Sequence, residues 1–532
     1  MESPPLTALG VALASLPILV LLVLIMARRW SAPRAGAAAC LVAATLALGQ
    51  FGTSYRSLAI SSAKGLSLSL FVLTVIWAAV LLYNVVDGLG SIKVIGRTMS
   101  RVVSNPLGQA LVVGWAFSGF MQGVAGFGVP VAVVTPLLVS MGFPAVHAVA
   151  MVLVGHAWSV TFGSLGSSYY TIQLVTGIHG EVIGPHMAVL FAVPIVATGF
   201  AVAHLQGGFP AVRRGAIGIT VMGACIALAM WLATVGGVPQ LASILPGLIG
   251  CGVGWFLSRL SLLGKNGIDV HSSESEKDVK DEKDAVGEKG KEEGNFHFAF
   301  LPYYVVIALS LLSQIPALKR VKFGLGLDYP TVETALGYVT KAQKNYATIE
   351  LMRHPAPLIL LAIGISYAIC RVSGRWRPNL FGRAAKLTYA QCIGTSVGIC
   401  TMVMMALIMT DAGMTALLGR AIASGTGSAF AVFSPFIGVL GTFMTGSNTN
   451  SNVMFGSLQM ESARALAIET VTIASIQSIG GSLGSSIAPA KVLVGTAMVG
   501  LSGKEGEVMK RTIPYCLLIV FLAGLEVRLF LQ

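Results

Sequence analysis

A long series of apolar runs constrains this sequence more than any other feature, because each run is long enough to cross the roughly 30 Å hydrocarbon core of a bilayer. Hydrophobic residues make up 55% of the chain and charged residues only 11%, a composition that polar surface could not cover in water. The runs lie near residues 6–27, 34–54, 66–83, 107–121, 145–162, 186–206, 214–235 and 240–260, and then near 298–315, 355–372, 387–410, 428–446, 459–480 and 508–531. The sequence therefore predicts an all-α polytopic membrane protein with about 12–14 transmembrane segments.

A charged segment separates the two series of runs. Residues 265–293 hold ten of the 22 acidic residues and six of the 35 basic ones, a composition typical of a solvated linker. We therefore predict a first transmembrane repeat at 1–206, two bridging transmembrane helices at 207–263, a charged linker at 264–297 and a second transmembrane repeat at 298–532. Placing the short basic loops inside puts the linker in the cytoplasm and the N-terminus outside.

Several classes of function find no support in the residues. The formal net charge is +13, but no basic helix or aromatic platform accompanies it, so basic membrane-flanking loops explain the charge better than a nucleic acid does. The seven cysteines are scattered through apolar runs without metal-ligand spacing. We find no phosphate-binding loop or nucleophile elbow, and we therefore expect no cofactor, no metal and no enzymatic activity.

An internal repeat is the most informative local feature. The hexapeptide Gly163–Ser168 recurs letter for letter at Gly481–Ser486, and Phe120–Gly123 is echoed by Phe443–Gly446 in the same order and at nearly the same interval. Two echoes in order make coincidence a poor explanation, so the pattern indicates a duplication. Because the two halves are inferred to start on opposite sides of the membrane, we predict two inverted-topology repeats.

Each half contains a segment that interrupts a spanning helix. Gly123–Pro130 packs three glycines and a proline into eight residues, and Thr445–Asn452 is polar throughout apart from Gly446. Irregular backbone at membrane depth is tolerated only where it is buried in protein or lines a watery cavity. Paired interruptions at corresponding places of two repeats are typical of a transporter binding site, although ordinary loops outside the membrane are the alternative.

At this point the chain resembles the lactate permease family of bacterial inner membranes. The resemblance rests mainly on GFMQGVAGFGVP at 119–130, LLVSMGF at 137–143 and TGSNTNSNVMF at 445–455, with support from Ile487–Pro489 and VGLSGKE at 499–505. It implies a secondary active transporter that takes up L-lactate or glycolate by proton symport. The implied partners are a small carboxylate, protons and the lipid bilayer, and the oligomeric state stays open, a homodimer included.

Two positions depart from the pattern of that family. The family usually has an acidic residue where Gln122 stands, and asparagine where Lys491 stands. The loss of an intramembrane carboxylate puts the proton route in question, and the added lysine changes the electrostatics that an anion would meet. Together the two departures favour a divergent branch whose substrate differs from lactate itself.

Half-helix N-termini and polar side chains are the groups that could hold a hydroxy-carboxylate. The candidate substrate-binding residues are Gln122, Gly123, Gly126, Gly128, Ser447, Asn448, Thr449, Asn450, Ser451, Asn452, Ser485, Ser486 and Lys491. The proton-coupling candidates are His156 and Asp411.

Each candidate also has a plainer interpretation. The polar cluster could be a turn that satisfies its own backbone, and Gln122 could brace the Gly123 loop. His156 could be a structural histidine, Asp411 a helix N-cap, and Lys491 a side chain that extends to the lipid headgroups. Alternatives to a lactate carrier are a carrier or channel for another small organic anion, or a membrane-embedded subunit of an energy-converting enzyme.

Overall fold

The structure, a computed structural model, describes residues 6–101, 103–126, 128–263, 295–319, 323–352 and 354–530. Most of the predicted linker at 264–297 therefore lies outside the described residues. Helices of the first half are α1 (Ala8–Met26), α2 (Ala32–Gly49), α3 (Tyr55–Gly88), α4 (Ser91–Ser100), α5 (Pro106–Gln109), the π-helical Ala110–Phe117, α6 (Ser118–Val124), α7 (Val129–Ser140), α8 (Ala145–Gly155), α9 (Gly163–Thr176), α10 (Gly180–Leu190), α11 (Ala192–Val235) and α12 (Ile244–Arg259).

The second half begins after the charged segment, where Asn295 caps the first helix by accepting the His297 N–H at 3.0 Å. Its helices are α13 (Phe296–Leu312), α14 (Pro316–Lys319), α15 (Pro355–Val372), α16 (Leu380–Asp411), α17 (Met414–Thr426), α18 (Phe430–Thr445), α19 (Asn448–Ala465), α20 (Thr470–Gly484), α21 (Pro489–Met498) and α22 (Glu505–Phe530). Three single turns of 3-10 helix lie at Ala157–Ser159, Pro239–Leu241 and Gly427–Ala429.

Within the described ranges, eight helices are long and apolar enough to span a membrane, or nine if the bent pair Ala145–Ser159 and Gly163–Thr176 counts as one span. This number is lower than 12–14 for two reasons. One of the eight, Gly180–Val235, has 56 residues, more than twice what one crossing needs, and its backbone breaks at Gly207 and Gly208. Three further apolar helices, α7, α12 and α13, are shorter than 18 residues.

Helices α3 and α16 pack antiparallel along their length. They are the two longest helices that occupy matching places in the two repeats. Near one end Lys64 pairs with Asp411; midway Trp77 donates to Ser396 at 2.9 Å; and near the other end Asn84 donates to Thr388 at 2.9 Å. Gly65 allows this approach, since a Cβ there would lie 2.8 Å from the backbone of Met404.

Helices α3 and α16 occupy equivalent places in the two halves, because the helix that follows each of them begins in the same way. Gly90 and Gly413 both adopt the left-handed conformation, at φ 77° and 79°, and directly precede α4 and α17. They are separated by 323 residues, the interval that also separates Phe120 from Phe443. Equivalent helices that run antiparallel belong to halves that are inverted relative to each other, which is the architecture expected for inverted-topology repeats.

A β-structure that the sequence reading did not anticipate lies between α14 and α15. Strand β1 (Gly324–Tyr329) pairs antiparallel with β4 (Gln343–Glu350), and β2 (Val332–Glu333) pairs with β3 (Val339–Thr340). We refer to residues 324–350 as the hairpin. It lies against the start of α3, where the Ala335 N–H donates to the Gly52 carbonyl at 2.8 Å and the Tyr329 hydroxyl donates to the Ala63 carbonyl at 3.0 Å.

Candidate functional site

The first interruption is a genuine break in the helix. Helix α6 ends at Val124, Ala125 is extended, and Gly128 takes a left-handed conformation at φ 85° before α7 begins. Pro130 stands in the first turn of α7, where its missing N–H has no intrahelical partner to lose. Ala125, Gly126 and Gly128 of the break are buried, as irregular backbone at membrane depth must be.

The first interruption is held by the first copy of the Gly-Ser hexapeptide. Ser164 Oγ accepts the Gly126 N–H at 2.8 Å, and Gln122 Nε2 lies 3.2 Å from the place of a Cβ on Gly126. The Gln122 side chain is buried and its Oε1 has no hydrogen-bond partner in the described chain. Gly123 serves a different purpose, because a Cβ there would meet the Ile244 backbone of α12 at 2.9 Å. Gly123 is thus a packing position.

The second interruption is shorter than the sequence suggested. Only Gly446, at φ 71°, and Ser447 separate α18 from α19, so Asn448–Asn452 form the first turns of a helix and are not unwound. The reason is the cap: Ser447 Oγ accepts the Asn450 N–H at 3.3 Å, and Thr445 Oγ1 accepts the Ser447 N–H at 3.2 Å. The polar cluster therefore surrounds a capped helix N-terminus.

Asparagines 448 and 452 stand one turn apart on the same face of α19 and reach across to the first half. Asn448 Nδ2 donates to Thr161 Oγ1 at 3.0 Å and to the Ser478 carbonyl at 3.1 Å. Asn452 Nδ2 donates to the Ser168 carbonyl at 3.0 Å and to Ser478 Oγ at 2.9 Å. Since a carbonyl can only accept, both amides have a fixed orientation.

Their amide oxygens have no partner. The Oδ1 atoms of Asn448, Asn450 and Asn452 are buried and accept no hydrogen bond from the described residues. Thr449 and Ser451 differ, because Thr449 Oγ1 contacts Ser168 Oγ at 2.9 Å and Ser451 Oγ donates to the Gly438 carbonyl at 2.8 Å. Buried acceptors without donors are rare in native proteins, and they mark a place where a ligand hydroxyl or water could donate.

The two copies of the hexapeptide lie side by side but differ in conformation. In the first copy Ser164, Leu165 and Gly166 have φ values of 47°, 54° and 87°, whereas the second copy stays helical to Gly484. Ser482 of the second copy accepts the Thr161 N–H at 3.1 Å and donates to the Ala157 carbonyl at 2.6 Å. Both copies are buried. Ser486 Oγ donates to the Leu483 carbonyl at 2.7 Å, and Ser485 Oγ has no partner in the described residues.

Lys491 is buried in α21, with 6% of its surface exposed. Its ammonium group forms no hydrogen bond or ion pair with any residue that the structure describes. The same helix contacts both interruptions, since Ala490 Cβ lies 3.3 Å from the place of a Cβ on Gly446, and Val494 Cγ1 lies 3.6 Å from that on Gly128. Lys491 therefore does not extend to the surface, and it is a buried lysine on the helix that contacts both breaks.

His156 and Asp411, the two titratable candidates, lie in different surroundings. His156 is fully buried at the end of α8, with Nδ1 2.6 Å from the Val152 carbonyl and Nε2 without a partner in the described residues. Lys491 lies within electrostatic range of the imidazole. Asp411 is the last residue of α16 and not an N-cap, since Gly413 holds that position before α17. Its partner, Lys64, was not singled out from the sequence.

The sequence also missed polar residues that complete this region. Thr161 and Ser478 bridge the two halves, while Gln477 donates to Ser451 Oγ at 3.1 Å and accepts from Gln459 at 2.6 Å. Isolated polar residues inside the apolar run 459–480 could have indicated Gln459, Gln477 and Ser478. Two cavities, of about 400 and 610 Å³, lie elsewhere, between α3, α15 and α16, and no candidate residue lines them.

The relatives that match this chain in sequence and are named here are L-lactate permeases. A family model described as L-lactate permease matches residues 11–532. L-lactate permease of Escherichia coli K12 is 26% identical over 474 residues, which cover 85% of this chain and 82% of the relative. The Bacillus subtilis 168 L-lactate permease is 25% identical over 482 residues, covering 84% and 82%, and that of Streptococcus iniae is 27% identical over 399 residues, covering 74% and 78%.

Among solved structures, the Alcanivorax borkumensis YdaH transporter is similar at 14% identity with a TM-score of 0.45, covering 86% of this chain and 84% of the other. That level of similarity transfers no residue and no substrate. The family match spans nearly the whole chain, and the apolar helices agree with it. The protein is therefore a member of the L-lactate permease family, a multi-pass transporter of the bacterial inner membrane for a small molecule.

Proposed function

We propose that this protein takes up L-lactate, or a related small 2-hydroxy monocarboxylate such as glycolate, together with a proton. The observation that carries the proposal is Lys491, a buried lysine without a partner in the described chain, on the helix that contacts both breaks. Inserting a lysine into a bilayer costs roughly 2.5–3.5 kcal/mol at mid-helix. An anion that pairs with the ammonium group would offset this cost.

The substrate carboxylate is the anion that this site would bind. Lys491 supplies a positive charge, and the start of α19 adds the positive end of a helix dipole and unpaired N–H groups. The capping hydroxyl of Ser447 already accepts the Asn450 N–H, so N–H groups of the same turn remain for a ligand. A charge-assisted hydrogen bond of this kind contributes about 1.5–3 kcal/mol.

The 2-hydroxyl is the group that distinguishes lactate from simple fatty acids. The Oδ1 atoms of Asn448 and Asn452 are buried acceptors without donors in the described chain, and their amides are held in orientation by Ser478 and Ser168 carbonyls. A hydroxyl that donates to one of them would satisfy it. An acid without the hydroxyl would leave it unpaired, at a cost of about 1–3 kcal/mol.

Proton coupling requires a titratable group, and Gln122 cannot supply one. His156 and Asp411 are the candidates, because both are buried in the membrane region and one nitrogen of His156 has no partner in the described residues. Protons would enter with the anion, so that the transported pair carries no net charge.

Uptake of radiolabelled L-lactate into proteoliposomes, with the outside more acidic, tests this function. We expect accumulation that collapses when a protonophore removes the pH gradient, and competition by glycolate that exceeds competition by propionate or acetate. Equal competition by glycolate, propionate and acetate would favour a general organic-anion carrier. Passive equilibration without counterflow would favour a channel, and either result would contradict the proposal.

A further inference from the structure

A buried ion pair joins the two halves of the protein. Lys64 of α3 lies with its Nζ 3.1 and 3.0 Å from Oδ1 and Oδ2 of Asp411 in α16, and Ser61 Oγ donates to Oδ2 at 2.7 Å. The side chains are only 4% and 1% exposed. The pair thus connects the equivalent helices that pack antiparallel.

The hairpin lies over this pair. Tyr329 contacts Ser67 Oγ at 2.6 Å and donates to the Ala63 carbonyl next to Lys64. Tyr338 and Tyr346 of the hairpin lie within electrostatic range of Asp411, and the exposed Glu461–Arg464 pair of α19 lies within range of Tyr338. Burial raises the pKa of Tyr338 to about 12, and it raises the pKa of Tyr346 as well. Both phenols therefore stay neutral, and Asp411 is the carboxylate of the buried pair.

The repeat contains a natural comparison for Asp411. Asp87 stands three residues before Gly90 and Asp411 two residues before Gly413, so each aspartate lies near the end of its helix without occupying the same position of the repeat. Asp87 is exposed, whereas Asp411 is buried. At the interval of 323 residues, Gly88 corresponds to Asp411 and Leu387 corresponds to Lys64, so the buried lysine–aspartate pair is a feature of one half only. The internal symmetry of the fold therefore does not require the buried pair.

Stability does not account for the pair either. Removing two charges from water costs several kcal/mol per ion, and well-packed apolar residues in their place are often as stable or more so. Ionisable residues inside membranes are therefore a default indication of function. The lysine and the aspartate neutralise each other in a protein that carries an anion. A substrate carboxylate can therefore replace the aspartate as the partner of the lysine.

We propose that Lys64 is a second carboxylate-binding residue, occupied by Asp411 in the empty state and released to the substrate carboxylate when Asp411 accepts a proton. The inference rests on the proposed function. A proton adds to one Asp411 oxygen, the Lys64 ammonium keeps its three protons, and the substrate carboxylate replaces Asp411 as its ion partner. The proton and the substrate anion enter together, so the net charge of the site is unchanged. On release both leave, and Asp411 pairs with Lys64 again.

The test uses Asp411→Asn, which imitates the protonated carboxyl, in full-length protein in proteoliposomes. We expect exchange of labelled L-lactate at equal pH to continue at a half-saturating concentration that no longer varies with pH. Accumulation driven by a one-unit pH gradient, which can reach about tenfold for one proton per anion, should fall to equilibration. The double variant Lys64→Gln, Asp411→Asn, which leaves no charge at the position of this pair, should in addition raise the half-saturating concentration several-fold.

The matched control is Asp87→Asn, an aspartate near the end of α3 that lies outside the pair, and this variant should accumulate lactate like the unmodified protein. Full pH-gradient accumulation by Asp411→Asn would overturn the inference. So would loss of both exchange and accumulation in a folded Asp411→Asn protein, because that result would make the pair a structural link. If the unmodified protein itself shows no response to the pH gradient, the proposed proton coupling fails, and this outcome is distinct from a failure confined to Asp411.

Discussion

Asn448 donates a hydrogen bond from its Nδ2 to Thr161 Oγ1 at 3.0 Å, so the first turn of α19 in the second half touches the segment that precedes the first hexapeptide. The same amide donates to the Ser478 carbonyl. One side chain thus joins both halves, while its oxygen has no partner among the residues that the structure describes. The two interruptions are linked indirectly, by the first hexapeptide on one side and by α21 on the other.

Replacing Asn448 by alanine should reduce selectivity for the 2-hydroxyl. The amide oxygen that would accept from the hydroxyl is lost, and a neutral hydrogen bond contributes about 0.5–1.5 kcal/mol. The ratio of half-saturating concentrations for propionate and L-lactate should therefore fall by roughly two- to tenfold. Competition assays in proteoliposomes measure this ratio. Ser457→Ala, on a later turn of the same helix, is the control, and an unchanged ratio in Asn448→Ala would exclude Asn448 as the hydroxyl acceptor.

Replacing Gly480 by alanine should destabilise the helix pair α18 and α20. The new Cβ would overlap the Pro435 backbone carbonyl, and overpacking of this kind costs typically about 1–3 kcal/mol. The detergent-solubilised variant should therefore unfold at a lower temperature. Gly394→Ala is the matched control, because a Cβ at Gly394 meets open space. Equal unfolding temperatures for both variants would mean that α18 and α20 are not packed this closely.

Removing both candidate proton carriers should abolish proton coupling. The double variant His156→Gln, Asp411→Asn leaves no titratable side chain at either position, so lactate uptake should lose its dependence on the pH gradient. Uptake at several outside pH values, with the inside held constant, measures this dependence. A double variant that keeps the full dependence would show that both assignments are wrong and that another group carries the proton.

The apolar runs and the duplication were predictable because both depend on local composition and spacing. Helix length in a bilayer is fixed by hydrocarbon thickness, so the runs locate most helices without tertiary information. The breaks near Gly128 and Gly446 were predictable for a similar reason, since these glycines adopt left-handed backbone. The resemblance to the permease family then supplied the expectations about substrate and coupling.

Conformation and pairing across the halves were not predictable. The same hexapeptide is left-handed at Ser164 and Leu165 but helical at Ser482 and Leu483, so tertiary contacts decide its backbone. Lys64 escaped notice because its partner lies in the other half of the chain, and the Asp411 N-cap prediction was wrong because Gly413 is the N-cap residue of α17. The hairpin was missed since its strands are short and mostly exposed, which leaves little alternation to detect.

The half-saturating concentration of L-lactate for Lys491→Met tests the central claim most directly. Loss of a charge-assisted contact of about 1.5–3 kcal/mol predicts a rise of roughly ten- to hundredfold, in a protein that remains inserted and exchanges lactate at saturation. Lys510→Met, an exposed lysine on α22, is the control and should keep the value of the unmodified protein. A half-saturating concentration in Lys491→Met equal to that of Lys510→Met would contradict the assignment of Lys491 as the residue that binds the substrate carboxylate.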